Sequence, residues 1–184
     1  MKWLKDGPEQ LWFKMWLDRN ASQMLSEVGI CKGQAVLDFG CGSGTYTIPA
    51  AELVGTKGRV YALDVSRKAL DKMQKKAERK GLRNIVRIDS DSEKMPLEDE
   101  TVDVMMLIDV LQEIEDRDAL FDEACRILKP GGIVIVYPMH IGKGEVEKTA
   151  IARGLDLREE KYEGRVLVFR KEGSMDNGAL GGMM

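Results

Sequence analysis

The chain has 184 residues, 43% of them hydrophobic, which suits one domain with a substantial core. Its formal charge of −3 provides no overall positive field to favour nucleic acid as a partner. Three cysteines lie far apart and there is a single histidine, so neither a metal site nor a disulfide framework is expected. No signal peptide pattern and no apolar run of about 20 residues is present, so we expect a soluble, cytoplasmic protein without a membrane span.

Residues 1–34 precede the first predicted strand and are expected to form an N-terminal helical cap. From residue 9 to residue 28 the apolar positions are typical of a helix, although Trp12, Phe13 and Trp16 are too dense for one narrow stripe. A fixed cap on the sheet is one interpretation. The alternative is a mobile lid whose aromatic face lies over a ligand crevice.

The stretch from Ala35 to Thr45 reads as a short buried strand that runs into a glycine-rich turn and then into a helix. Alternate glycines carry no side chain where a ligand must approach the backbone closely. Thr45 and Thr47 offer cap hydroxyls to the helix, which Gly55 ends. A strand, a glycine turn and a helix N-terminus together form a ligand crevice at the carboxyl end of a parallel sheet.

The spacing of this motif distinguishes between ligands. A dinucleotide fingerprint, Gly-x-Gly-x-x-Gly, binds pyrophosphate at the helix N-terminus. Here Thr45 stands at the third glycine position, and Asp38 adds a carboxylate that would repel pyrophosphate but suits a cationic ligand.

The same residues are similar to the first motif of the class I S-adenosylmethionine-dependent methyltransferases, whose ligand carries a sulfonium and an ammonium. The matching stretch is Val36-Leu37-Asp38-Phe39-Gly40-Cys41-Gly42-Ser43-Gly44. The resemblance implies that a first set of residues binds the cofactor: Asp38, Gly40, Cys41, Gly42 and Gly44. Cys41 is interpreted as a small filler of the turn and not as a nucleophile.

Residues 59–64 read as a second strand that ends on Asp64, twenty positions beyond Gly44, which is the distance of one βαβ traverse. A carboxylate there can accept hydrogen bonds from both ribose hydroxyls of an adenosine, with Val65 beside it in the cofactor site. A helix cap is the alternative role for Asp64. The next helix, residues 66–80, has a basic face that we interpret as solvated and not as a nucleic-acid contact, because acidic residues interrupt it.

Residues 84–88 are predicted as the third strand. The segment that follows is similar to the family's Gly-Asp-Ala-Glu-x-Leu-Pro-Phe motif: Asp89-Ser90-Asp91-Ser92-Glu93-Lys94-Met95-Pro96-Leu97. The resemblance implies that Asp91 receives the adenine amino group and that the backbone N–H of Ser92 reaches the ring. Asp89 takes the place of Asp91 if the register slips by two.

Residues 102–108 are nearly continuous in hydrophobicity, as is typical of a central parallel strand. The exit of this strand, residues 109–114, resembles the family's Val-Leu-His-x-Ile segment, with Gln112 in place of the histidine. Asp109 would then line the methionine half of the cofactor, with a cap role as the alternative.

The remaining elements are predicted as a helix, a strand, a second helix and a hairpin: 118–128, 133–137, 146–153, 155–160 and 165–170. Before the fifth strand, Leu128-Lys129-Pro130-Gly131-Gly132 is again similar to a family motif. The alternation predicts an α/β fold with a doubly wound, Rossmann-like, seven-stranded methyltransferase sheet, mostly parallel with one antiparallel strand. This domain spans residues 35–171, and residues 172–184 are expected to be disordered.

The resemblance covers roughly residues 34–170. It implies transfer of a methyl group from S-adenosylmethionine to a small-molecule acceptor, closest to the branch that methylates quinone precursors. Methyl transfer by in-line displacement needs little beyond holding donor and acceptor close and aligned. His140, Tyr137 and Glu113 are comparable candidates for a general base, so no catalytic residue is assigned.

A non-catalytic S-adenosylmethionine-binding regulatory or partner subunit is the second interpretation. A dinucleotide-dependent oxidoreductase is disfavoured by Thr45 and Asp38. The connection from His140 to Glu145 is short, whereas the resembled family often has a long insertion there that shapes the acceptor pocket. The N-terminal helix is therefore the main candidate cover for that pocket.

Overall fold

The computed structural model of the chain describes residues 7–90 and 94–173. Its helices are α1 (Pro8–Arg19), α2 (Ala21–Glu27), α3 (Thr47–Val54), α4 (Arg67–Arg79), α5 (Arg117–Ile127) and α6 (Lys143–Ala152). Its strands are β1 (Ala35–Phe39), β2 (Arg59–Asp64), β3 (Ile85–Asp89), β4 (Val102–Ile108), β5 (Leu128–Tyr137), β6 (Leu155–Lys161) and β7 (Val166–Lys171). A single 3-10 turn at Leu111–Glu113 follows β4.

The strands form one seven-stranded sheet in the order β3-β2-β1-β4-β5-β7-β6. Strands β1 to β5 pair in parallel, and β7 runs antiparallel between β5 and β6. The predicted fold class is confirmed, including the single antiparallel strand. The helices between successive parallel strands cover both faces, as right-handed crossovers require.

Alternation along the central strands divides the core into two layers. Val36 and Val104 face a layer that includes α1, α2 and α3, whereas Leu37 and Met105 face a layer that includes α5 and α6. Successive side chains of a strand point to opposite faces, so a strand buried on both faces must be apolar throughout. This explains why β4 was recognisable as a central strand from its hydrophobicity.

The N-terminal segment contains two helices where the sequence pattern suggested one. Helix α1 ends at Arg19. The backbone of Asn20 then leaves the helical region at φ −110° and ψ 23°, and α2 begins at the next residue. The Asn20 side chain donates to the carbonyl of Trp16 at 2.7 Å, a local bond of the kind that competes with helix continuation. The periodicity of apolar residues does not indicate this break between α1 and α2.

Strand β5 begins five residues earlier than predicted, at Leu128 and not at residue 133. The Lys-Pro-Gly-Gly segment is therefore part of the strand, and its pairing with β4 shifts register between Val102 and Val104. Proline and glycine within a strand are typical of such irregularities. In the described ranges, none of the helices combines the length and apolarity needed to cross a membrane.

Candidate functional site

A cleft of about 560 Å³ opens at the carboxyl ends of β1, β2 and β4. The strand order reverses between β1 and β4, and ligands of doubly wound sheets bind outside the strand ends at such a switch point. We call this the switch-point cleft. It is lined by Phe39, Gly40, Leu63, Asp64, Val65, Ser90, Asp109, Val110, Glu113, Ile114, Glu115, Asp116 and Leu120.

Backbone hydrogen bonds hold the glycine turn against the end of β2. The N–H groups of Gly40 and Cys41 donate to the carbonyl of Leu63 at 2.9 and 3.0 Å. The N–H of Gly42 donates to Oδ2 of Asp64 at 2.7 Å. The glycine turn and the acidic end of β2 are therefore in direct contact.

The three glycines of the turn serve different purposes. All have positive φ, at 75° for Gly40, 53° for Gly42 and 84° for Gly44. A Cβ at Gly40 would lie 2.5 Å from Cγ2 of Val110, and one at Gly44 would lie 2.6 Å from Cγ of Met73, so these two positions are closed by packing. A Cβ at Gly42 would meet nothing within 4 Å. Gly42 is thus the position at which the turn is open.

Asp64 uses both carboxylate oxygens on backbone donors. Besides the bond from Gly42, its Oδ1 accepts the N–H of Ser66 at 2.7 Å, and Ser66 in turn caps α4 through the N–H of Ala69. The carboxylate therefore joins the glycine turn to the start of the helix. Val65, between them in the cleft wall, is 68% exposed and offers apolar surface to a ligand.

Asp38 lies beneath the turn and does not line the cleft. Its side chain is buried, and Oγ1 of Thr47 donates to Oδ2 at 2.6 Å. Burial raises the pKa of Asp38 to about 7, and the nearby Asp64 carboxylate adds to this, while the Thr47 hydrogen bond opposes it. The hydroxyl hydrogen of Thr47 is therefore used in its bond to Asp38. The expectation that a threonine side chain caps α3 is wrong, because the N-cap is Tyr46 and no side-chain bond is made there.

Cys41 is buried in the same turn, and its surroundings suppress its reactivity. Burial raises the pKa of the Cys41 thiol well above its usual range, and the Asp38 and Asp64 carboxylates act in the same direction. A thiol held protonated in this way is a poor nucleophile. The geometry agrees with the interpretation of Cys41 as a small filler.

Asp109 directly follows β4 and has a left-handed backbone, at φ 56°, and its N–H donates to the carbonyl of Tyr137 at 3.1 Å. Its Oδ1 accepts from Nε2 of Gln112 at 3.0 Å, while Nζ of Lys14 and Nε2 of His140 lie 3.8 and 3.9 Å from its two oxygens. Burial raises the pKa of Asp109, and Lys14, Gln112 and His140 oppose that shift. Several groups from separate elements thus meet at this strand end.

Helix α1 is tied to this edge by a polar network that the sequence did not predict. Lys14 contacts Asp18 at 2.6 Å, and the Tyr46 hydroxyl donates to the same Asp18 oxygen at 2.6 Å. Burial raises the pKa of Tyr46 well above its usual range, so the phenol stays a donor. Because Asp18 and Tyr46 are 28 positions apart in sequence, no local pattern could have indicated this pair.

The predicted site residues fall into three groups. Those that line the switch-point cleft are Gly40, Asp64, Val65 and Asp109. Those in or beneath the turn are Asp38, Cys41, Gly42 and Gly44. Asp91 and Ser92 lie outside the described residues. The apolar wall was not predicted as a site, although it borders the recognised motif at residues 109–114: Phe39, Leu63, Val110, Ile114 and Leu120.

The sheet order and the glycine turn at the end of β1 together define a Rossmann-like protein with a crevice for a nucleotide-type ligand. Comparison with known families identifies the family within this fold class. The methyltransferase domain family matches residues 30–162, which is more than half of the chain. The chain belongs to this family, which confirms the resemblance seen in its motifs.

Individual relatives agree with the family. The chain is 32% identical over 112 residues to demethylmenaquinone methyltransferase of Geobacillus stearothermophilus, covering 61% of this chain and 48% of that protein. It is likewise 32% identical over 122 residues to demethylmenaquinone methyltransferase of Bacillus pumilus, covering 66% and 50%. The chain thus spans about half the length of these curated relatives.

Solved structures support the fold. A SAM-dependent methyltransferase from Aquifex aeolicus superposes with a TM-score of 0.73 at 24% identity, covering 90% of this chain and 93% of that one. The cyclase SpnF superposes with a TM-score of 0.67 at 20% identity, covering 77% and 59%. Since the second is named for a different reaction, the likeness in fold does not by itself assign a reaction.

Proposed function

We propose that the protein is a methyltransferase that transfers a methyl group from S-adenosylmethionine to a small-molecule acceptor. The observation that carries the proposal is the cradle made by the open turn at Gly42 and the Asp64 carboxylate, beside an apolar wall, in a chain of the methyltransferase domain family. The demethylmenaquinone methyltransferases it resembles are named for a small-molecule acceptor, which supports the same reaction class.

The residues of the switch-point cleft fit this cofactor. Gly40 lines the cleft without a side chain, and the neighbouring turn position Gly42 is open to a ligand because no Cβ intervenes. Asp64 stands at the tip of β2 with a carboxylate that would accept hydrogen bonds from ribose hydroxyls. Val65 and Ile114 offer apolar surface for the adenine ring. Each part of an adenosine therefore has a chemically suitable neighbour in the cleft.

The other end of the cleft suits an amino acid. Asp109 would hold the ammonium group, and Lys14, whose Nζ lies 3.8 Å from Asp109, would hold the carboxylate. The ammonium group of an amino acid bound there would lie at Asp109, and its carboxylate would lie at Lys14. Asp91 and Ser92 are proposed for the adenine edge from the motif resemblance alone.

Three of the motif residues would act indirectly. Asp38 and Cys41 are buried, and Gly44 is closed by the side chain of Met73. We propose that these residues set the shape of the turn. Ligand contact within the turn would then fall to the backbone of Gly40, which lines the cleft, and to the open position at Gly42.

S-adenosylmethionine, when bound, supplies the methyl group on a sulfonium. The chain contributes binding, orientation and exclusion of water, and correct placement alone can supply roughly 7–11 kcal/mol in favourable cases. Of the candidate bases, His140 lies beside Asp109, Glu113 lines the cleft and Tyr137 is buried. His140 and Glu113 therefore remain accessible to an acceptor that must lose a proton, and Tyr137 does not.

Binding and turnover test the proposal separately. S-adenosylhomocysteine at 100 times its Kd should stabilise the fold by about 2.7 kcal/mol, measured as a rise in Tm, whereas NAD should have no effect. Incubation with methyl-labelled S-adenosylmethionine and a metabolite extract should label a small molecule. Binding without any labelled product would favour the non-catalytic subunit, and a shift with NAD alone would overturn the family-based assignment of the cofactor.

A further inference from the structure

Helix α1 presents an apolar face to the outside of the molecule. Its inner side is fixed to the rest of the protein, because Leu17 is buried in the core and Nζ of Lys14 lies 3.8 Å from Asp109. Residues spaced at i, i+1, i+4 and i+5 share one side of a helix, and four large apolar residues with this spacing are exposed. We call them the outer face of α1: Leu11 (49% exposed), Trp12 (73%), Met15 (43%) and Trp16 (37%).

The outer face is too large to be a scatter of single surface residues. Its exposed fractions amount to about two whole side chains. This is roughly 300–500 Å², since one aromatic side chain can bury about 150–250 Å². The largest apolar patch of a monomeric protein is of similar size and often functional. Two such faces packed together would bury roughly 600–1,000 Å² of apolar surface, which with a polar rim is the size of a weak, reversible interface.

A recess of about 450 Å³ borders the outer face, between α1 and the turn that joins β6 to β7. Trp12 and Trp16 form part of its wall, and Tyr162 packs on Trp16 with ring centroids 5.2 Å apart. The surface therefore has a protruding ring next to a hollow with a fixed wall. Two copies of such a surface can fit each other around a twofold axis, because a twofold interface uses the same patch on both copies.

Residues with both signs of charge surround the outer face. Glu9 and Glu163 lie at the recess, where Arg165 pairs with Glu9. Arg19 is exposed at the C-terminal end of α1. Helices that lie on an anionic membrane instead carry lysine and arginine along their polar face. The mixed charges therefore favour another protein surface over a lipid surface.

The charges at the two ends of α1 are opposite in sign. Glu9 lies in the first turn, and its pairing with Arg165 through Oε1 leaves the second carboxylate oxygen to accept another donor. Arg19 is the last residue of the helix and forms no ion pair with another described residue. An antiparallel pair of α1 helices would bring Glu9 of each copy close to Arg19 of the other. A parallel pair would instead bring like charges together, which is unfavourable.

The apolar residues fit the same antiparallel arrangement. When two copies of α1 are centred on the middle of Pro8–Arg19, Leu11 lies opposite Trp16 of the second copy, and Trp12 lies opposite Met15. Each large side chain of the outer face then meets another large apolar side chain. Apolar pairing at the centre and charge pairing at the ends thus indicate one arrangement.

We propose that the outer face of α1 binds a second copy of this chain, in a twofold pair whose α1 helices run antiparallel. The inference goes beyond the proposed function, because the pairing does not depend on the cofactor or on methyl transfer. The second copy is the occupant that satisfies both the apolar area and the opposite charges.

Sedimentation velocity of the full chain, from low to high micromolar concentration, tests the proposal. The sedimentation coefficient of the wild type should rise with concentration, from that of a monomer to that of a dimer. Trp12→Ser should raise the dimer Kd at least tenfold, because a central exposed tryptophan is lost from the interface. Ile151→Ser is the matched control, since Ile151 is 55% exposed on α6, in the opposite layer of the fold. Its Kd should equal that of the wild type.

A second pair of variants tests the direction of the helices. Arg19→Glu should raise the dimer Kd at least tenfold, because it places an acid near Glu9 of the other copy, whereas Arg19→Lys should pair like the wild type. Both changes are at an exposed position, so the fold should be retained. Equal Kd values for the two variants would refute the antiparallel arrangement.

Two other outcomes would overturn the proposal as a whole. One is a monomer at every concentration, or a Trp12→Ser variant that pairs as tightly as Ile151→Ser. The other is a monomeric wild type that co-sediments with phosphatidylglycerol vesicles and loses this binding in Trp12→Ser. That result would assign the outer face to a lipid surface.

Discussion

Substitution of Gly42 by alanine should affect the stability of the fold and the affinity for a ligand to different extents. Its φ of 53° lies in the left-handed region, where an L-residue costs about 1–2 kcal/mol. A Cβ at this position would meet nothing within 4 Å, so Gly42→Ala adds no steric cost to that strain. For a protein of this size we expect Tm to fall by about 2–8 °C, measured by differential scanning calorimetry.

The same substitution should damage ligand binding much more. The new methyl group would occupy the space through which a ligand approaches the turn, next to the N–H that donates to Asp64. We expect at least a tenfold loss of S-adenosylhomocysteine affinity, equivalent to about 1.4 kcal/mol, by isothermal titration calorimetry. Gly44→Ala would not test this, because its Cβ would lie 2.6 Å from Met73 and disturb packing.

Gly81→Ala is the matched control. Gly81 follows α4, has φ of 67° and would also place its Cβ in open space, but it lies outside the glycine turn and is remote from it in sequence. Both variants should lose similar stability, and only Gly42→Ala should lose affinity. Equal affinities for the two variants would refute the argument that the open glycine is the point of ligand approach.

Three further predictions concern the same site. Asp64→Asn, which removes the charge but keeps one acceptor oxygen, should lower S-adenosylhomocysteine affinity at least tenfold by calorimetry, and unchanged affinity would exclude a ribose contact. Because the pKa of Asp38 is raised to about 7, the folded protein retains a proton that the unfolded chain releases near pH 4. Stability should therefore fall as pH rises towards and through 7, and Asp38→Asn should flatten this slope in urea unfolding; a slope that persists in the variant would contradict the assignment. Finally, hydrogen exchange over residues 9–20 should slow when S-adenosylhomocysteine binds if α1 is a lid, and unchanged protection equal to that of the central strands would make it a fixed cap.

The lid question illustrates what the structure adds to the sequence. The aromatic density of the N-terminal segment suggested either a cap or a lid. In the structure Leu17 of α1 is fully buried in the core, whereas Trp12 is largely exposed and does not line the switch-point cleft.

The sequence by itself determined the elements whose signals are local. Strands β2 and β4 have the predicted bounds, because each is a short apolar run that turn residues or an acidic end delimit. The glycine turn and the acid at the end of β2 were likewise readable, since one βαβ traverse places the acid about 20 residues beyond the turn. These elements could be predicted because hydrophobic periodicity and turn-forming residues depend on residues that are close together in the sequence.

Only the tertiary structure decided which partner each polar side chain takes. Asp38 was expected to face a cationic ligand, but Thr47 bonds to it beneath the turn. Phe13 and Tyr162 likewise pack together, with ring centroids 5.8 Å apart, although they are far apart in the sequence. Such contacts depend on how helices and strands pack, and the sequence pattern within an element specifies which face is buried but not which distant side chain it will meet.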